Sequence, residues 1–305
     1  MRNTFIKYLT EQAEKDDRIF VITPDLGFSV LEQFEKKFPD RFINVGIAEQ
    51  NAVSVAAGLA LSGKIVYVYS IVPFVTMRCF EQVRVDVAYM NTNVRLVGVG
   101  AGLSYGPAGA THHAIEDISV MRSLPNMTVC CPGDPIEVRE ITLRSFDHQG
   151  PMYIRLGKNG EPCIHSSTAT ISIGKAIRLT EGKDVCILTT SNMLEEGQKL
   201  VERLKASNKS ASLISFPTIK PLDHEMITEL INKKIPIVTL EEHNIIGGLG
   251  TAVSEVIAES GKGVPFLRFG IKDQFCHYVG SQMFLRNKLI MEDTWNKIFT
   301  LLSSN

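Results

Sequence analysis

The chain has 305 residues, 44% of them hydrophobic and 21% charged, enough apolar material for two globular domains and too much for a disordered chain. A formal net charge of -1, with Lys and Arg dispersed along the chain, leaves no electrostatic footprint for nucleic acid. The longest apolar stretch, 52–61, is about half of a membrane span, and the amphipathic N-terminus lacks a signal-peptide apolar segment, so a cytoplasmic protein that engages no membrane is expected.

Phe5, Ile6, Leu9 and Ala13 recur with helical spacing over 3–15, and 18–23 reads as a strand leading into Pro24-Asp25-Leu26-Gly27. A short helix over 31–37 precedes a strand end at 42–45. Gly46 permits a tight turn, and Ala52, Ala56, Ala57, Gly58 and Ala60 give the following helix a face on which another backbone can lie close. Glu49 falls in the first turn of that helix. There the helix dipole favours a carboxylate, while loss of water beside Val, Ile and Ala opposes its ionisation. Those opposing effects suit a group that shares a proton with a ligand; satisfying free backbone N–H groups is the structural alternative.

A buried strand is expected at 64–69, a helix at 77–90 and a strand at 94–99. The glycine-rich loop 100–109 then runs into Thr111-His112-His113 and a helix over 115–123, followed by a strand at 128–131, a helix at 135–145 and a strand at 152–156. A break at 157–170, rich in Lys, Asn, Gly, Pro, His and Ser, precedes a second alternating set. Its strands are expected at 185–189, 212–215, 237–240 and 266–269, with helices near 194–205, 223–232 and 251–258. The whole reads as α/β: two doubly wound domains with mainly parallel sheets, at 1–160 and 171–305, joined by a linker at 161–170. Ligands should lie at the strand C-terminal ends.

The loop after 99 lacks the Lys-Ser/Thr ending of a P-loop and the spacing of a dinucleotide fingerprint, but two histidines end it where a cleft would lie. His112 and His113 with Glu116 and Asp117 show no metal-helix spacing. General acid/base or hydroxyl-binding work suits the histidines, with the two acids serving the helix N-terminus. Arg155-Leu156-Gly157-Lys158 places cations at a strand end, suited to an anionic substrate group or to plain solvation. Glu241 to Gly250 resembles a strand-to-helix turn, structural unless it holds an anion. The six cysteines show no Cys-x-x-Cys spacing and read as buried free thiols.

Together the motifs resemble the C-terminal half of the transketolase family of thiamine-diphosphate enzymes. The resemblance rests on Gly46-Ile47-Ala48-Glu49-Gln50-Asn51, Phe80-Glu81-Gln82-Val83-Arg84, Thr111-His112-His113, Met121-Arg122-Ser123-Leu124-Pro125-Asn126-Met127, and Glu241-Glu242-His243-Asn244-Ile245-Ile246-Gly247-Gly248-Leu249-Gly250, in that order. It implies a pyrimidine-binding domain followed by a C-terminal domain that mainly supports assembly. The family's Gly-Asp-Gly...Asn motif, which binds magnesium and diphosphate, is absent. A split transketolase is therefore expected, with that motif on a partner N-terminal subunit and an α2β2 heterotetramer as the assembly.

The resemblance also implies roles. Glu49 would hydrogen-bond a ring nitrogen of the cofactor's aminopyrimidine, Phe74 would stack on that ring, and Arg78 would lie among the cofactor contacts. His112 would contact the donor's hydroxyls, with His113 and Arg155 beside it, while Lys158 and Arg2 would meet the substrate phosphate. No metal ligand is expected in this chain. Gly100 and Ala108 stand where typical members carry a histidine and an aspartate near the substrate, which implies an unusual sugar or sugar phosphate. The beta chain of a 2-oxo acid dehydrogenase decarboxylase, a deoxyxylulose-phosphate synthase-like half and a non-catalytic assembly subunit are the alternatives.

Overall fold

The β-branched runs become strands buried on both faces, as sheets covered by helices require. The computed structural model describes residues 1–303. Within them the strands are β1 (Ile19–Thr23), β2 (Phe42–Asn44), β3 (Ile65–Ile71), β4 (Val94–Val99), β5 (Thr128–Cys130), β6 (Met152–Leu156), β7 (Ile177–Thr180), β8 (Val185–Thr189), β9 (Ala211–Ser215), β10 (Thr218–Lys220), β11 (Ile237–Asn244) and β12 (Phe266–Ile271). They form a sheet of order β10-β5-β6-β4-β3-β1-β2 and a second of order β12-β11-β8-β9-β7. Pairing is parallel except at the edges, where β10 runs against β5 and β7 against β9.

The strand β10 changes the expected domain picture. It comes from the second half of the chain yet completes the first sheet, and Leu188, Ile214, Phe216 and Ile219 share one apolar core with Val129 and Cys131. The two halves therefore do not bury wholly separate cores. The short strands β7 and β10 and the C-terminal helical segments, Gln282–Arg286, Asn287–Met291 and Thr294–Ser303, go beyond the elements expected from periodicity.

The helix expected at 77–90 takes a different form. Phe74–Arg78 and Val83–Tyr89 are wide π-helical stretches around a short α-helical turn, Phe80–Gln82. Such widened turns shift side chains off the regular 3.6-residue positions and recur at functional sites. Among the described residues no helix is long and apolar enough to cross a membrane. The cysteines are unpaired and buried except Cys163, which is exposed, contrary to the expectation that all are buried.

Candidate active site

The carboxyl ends of parallel strands lead into the segments that carry the candidate residues, the edge at which doubly wound sheets bind ligands. Gly46, with φ of +71°, turns the chain after β2 and delivers Glu49 to the N-terminus of helix Glu49–Leu61. Phe74 follows β3, the loop carrying His112 follows β4, and Lys158 follows β6.

Glu49 is 3% exposed, although it sits where helices usually meet solvent. Arg78 Nη1 donates to Glu49 Oε1 at 2.9 Å, and the guanidinium carbon lies 4.0 Å from the centre of the Phe74 ring. Glu49 Oε2 has no hydrogen-bond partner among the described residues. One oxygen of a buried carboxylate is thus left to accept from, or share a proton with, a ligand. That fits a ring nitrogen of an aminopyrimidine beside an aromatic face.

The Phe74 ring also meets His112, with ring centres 5.3 Å apart and edge-on. Tyr105 flanks His112 from another direction at 6.0 Å, and Lys158 Nζ sits 4.7 Å above the Tyr105 ring. Arg2 acts electrostatically on both Tyr69 and Tyr105, and its Nε is buried without a partner. Glu49, Arg78, Phe74, His112, Tyr105 and Lys158 therefore form one continuous run. Tyr105 was missed in the sequence, although a lone aromatic among small residues in a glycine-rich loop is a readable signal.

The loop is held at its base by a reciprocal backbone pair, Gly102 N to Ala114 O at 3.1 Å and Ala114 N to Gly102 O at 2.8 Å. Glu242 from β11 fixes its start. Its Oε1 accepts from Leu103 N at 2.6 Å, Gln282 Nε2 at 2.8 Å and Asn192 Nδ2 at 3.3 Å, while Oε2 accepts from Arg286 Nε at 2.5 Å. The second domain thus reaches the candidate site through this buried carboxylate, together with Asn192 and Gln282, which donate to Ala101 O and Ser104 Oγ. Sequence reading saw only a turn there.

Two expected substrate ligands lie elsewhere. Arg155 is fully buried, with Nε donating to Asp117 Oδ2 at 2.8 Å, Nη1 to Ser191 Oγ at 3.0 Å, and Nη2 to Ala114 O and Glu242 O at 2.8 and 3.2 Å. Sealed between the domains with these partners, it has no face for a substrate. Asp117 likewise serves Arg155 and Tyr153 rather than the helix N-terminus. His113 points away from its neighbour: it is buried, its Nε2 lies 3.4 Å from Gly106 O, and burial favours its neutral form. The turn after β11 does hold an anion, but it is the chain's own. Glu241 accepts from Leu249 N and Gly250 N at 2.7 and 2.8 Å, and burial pushes its carboxyl up to about 7. No group of His, Cys, Asp and Glu able to hold a metal occurs among the described residues.

Comparison with known proteins identifies both parts of the chain. The transketolase pyrimidine-binding domain matches residues 1–161 and the transketolase C-terminal domain residues 174–286. The chain is 40% identical to a putative transketolase C-terminal section of Methanocaldococcus jannaschii, over 90% of this chain and 87% of that protein. It is 38% identical to a 6-deoxy-6-sulfo-D-fructose transketolase subunit of Clostridium sp. strain MSTE9, over 94% of this chain and 89% of that one. Among solved structures, a split-gene transketolase described as an inactive beta4 tetramer superposes with a TM-score of 0.91 at 36% identity, covering 99% of this chain and 98% of that one.

Proposed function

The chain belongs to the transketolase family, and on that premise we propose that it is the pyrimidine-side subunit of a split, thiamine-diphosphate-dependent enzyme moving a two-carbon ketol unit from a ketose to an aldose. The observation that carries the reading is Glu49, a buried carboxylate with one unpartnered oxygen beside Phe74 and His112. When bound, thiamine diphosphate supplies the nucleophilic carbon needed to break and remake a carbon-carbon bond next to a carbonyl.

This chain's residues then have separable tasks. Glu49 holds a proton at a pyrimidine nitrogen, and Phe74 offers its face to the ring. Arg78 occupies both contacts in this structure, and a ring stacked on Phe74 would take its place on that face. His112 binds donor hydroxyls. Lys158 and Arg2 meet an acidic group on the sugar, Lys158 as a point charge without bidentate geometry. The relative named for a sulfonated fructose supports an acid-bearing sugar.

Magnesium and the diphosphate contacts fall to a separate N-terminal subunit, in an α2β2 assembly. Exposed Ile47, Leu61, Met77, Val85, Tyr89 and Met90 lie on the Glu49–Leu61 helix, its lead-in and the widened helical stretch beside it, an apolar surface that suits a subunit interface. The related structure whose beta chains form an inactive tetramer fits a chain needing such a partner.

The test is the native mass of the chain purified from its own source, with identification of copurifying protein and bound thiamine diphosphate. A partner carrying Gly-Asp-Gly and a downstream Asn, with the cofactor present, is the expected result. A homo-oligomer unable to bind the cofactor with magnesium added would contradict it.

A further inference from the structure

Tyr105 stands out against the small residues around it. Gly100 leaves β4 with φ of +90°, and a Cβ built there would lie 2.1 Å from Tyr105 Cε2 and 2.3 Å from Cδ2. The phenol ring therefore fills the volume that a side chain at position 100 would need, so the two cannot coexist without moving the ring. The ring is half-buried, edge-on to His112 and under the Lys158 ammonium. Its hydroxyl has no hydrogen-bond partner among the described residues, and neither does the buried Nε of Arg2. The buried Arg2 Nε, left unpaired, is costly unless a ligand meets it, and the half-buried phenol is free to take a ligand partner.

We propose that Tyr105 is a specificity-determining residue, its hydroxyl engaging a hydroxyl of an acid-bearing sugar in the gap between His112 and Lys158. This rests on the two-carbon transfer reading. An O–H that both donates and accepts suits a polyhydroxy chain, while the flanking cations suit the acid at its end. Because the ring is wedged against Gly100, its position sets how much sugar fits between the imidazole and the ammonium.

The test uses the assembled two-subunit enzyme with thiamine diphosphate and magnesium, comparing wild type, Y105F and Y105V. Donors are xylulose phosphate, fructose phosphate and hydroxypyruvate, the last carrying a ketol group without a sugar chain. Y105V should change the kcat/KM of at least one sugar relative to hydroxypyruvate by about ten-fold, and Y105F should raise the KM of that sugar while keeping kcat. Ratios that stay within about two-fold across the donors, or an equal loss with hydroxypyruvate, would overturn the assignment. A wild-type complex inert towards hydroxypyruvate would overturn the transfer reading itself, which separates the two failures.

Discussion

Arg78 bonds Glu49 at 2.9 Å while its guanidinium carbon lies 4.0 Å from the centre of the Phe74 ring, so one exposed cation meets both a buried carboxylate and an aromatic face. Replacing it with Met leaves Glu49 buried with no charge partner. Urea denaturation of the isolated chain should show R78M destabilised by about 1 kcal/mol, with most of that loss absent in the Glu49→Gln background. Additive single and double variants would show that the pair is not energetically coupled.

The Arg155–Asp117 pair has both side chains fully buried and joins the domains through Ser191 and the Glu242 carbonyl. Removing one member strands a charge away from water. Asp117→Ala should cost about 3–5 kcal/mol in denaturant unfolding, and combining it with Arg155→Met should recover a large part. A loss no larger than that of an exposed ion pair would contradict the burial described.

Glu241 gives stability a pH dependence of defined sign. Its folded-state carboxyl is raised to about 7, mainly by burial, against an ordinary carboxylate value when unfolded. Between those values the folded state holds more protons, so this group's contribution is fully present below the unfolded pKa and is lost as pH rises through about 7. The stability of wild type minus that of Glu241→Gln should therefore fall with rising pH, by up to about 1.4 kcal/mol per unit. Denaturation curves collected at a series of pH values check it, and a flat or rising difference would refute the sign.

Glu242 ties the His112 loop to the second domain through Leu103 N. Glu242→Ala should raise amide exchange across residues 102–113 well before global unfolding, because Leu103 N loses its acceptor and Asn192 and Gln282, which bond Ala101 O and Ser104 Oγ, lose the carboxylate that holds them. Exchange in that loop equal to wild type would show that the carboxylate does not hold it.

Much of this arrangement was legible because its signals are local. Alternating strand and helix patterns imply strand ends that converge, and Gly46 to Asn51 or Thr111 to His113 announce themselves within a few residues. Arg155 was not legible in the same way. A cation at a strand end looks solvent-facing until Asp117, Ser191 and β11 close over it, and those partners lie far apart in sequence. The strand β10 is only three residues long, too short for periodicity, and its partner β5 belongs to the other half of the chain. The widened turns around Phe74 and Val83 depend on hydrogen-bond register, which the apolar pattern of 77–90 does not encode. Tyr105 gains its meaning only when its ring is seen filling the space in front of Gly100.

The most direct test of the central claim is turnover of the reconstituted two-subunit enzyme carrying Glu49→Gln, with thiamine diphosphate affinity and unfolding measured on the same preparation. Gln keeps the shape and one acceptor but cannot hold the proton. The account predicts a folded, assembled complex whose kcat falls by about a hundred-fold or more. Activity within about two-fold of wild type would contradict the role given to Glu49 and, with it, the assignment of this cleft as the site of chemistry.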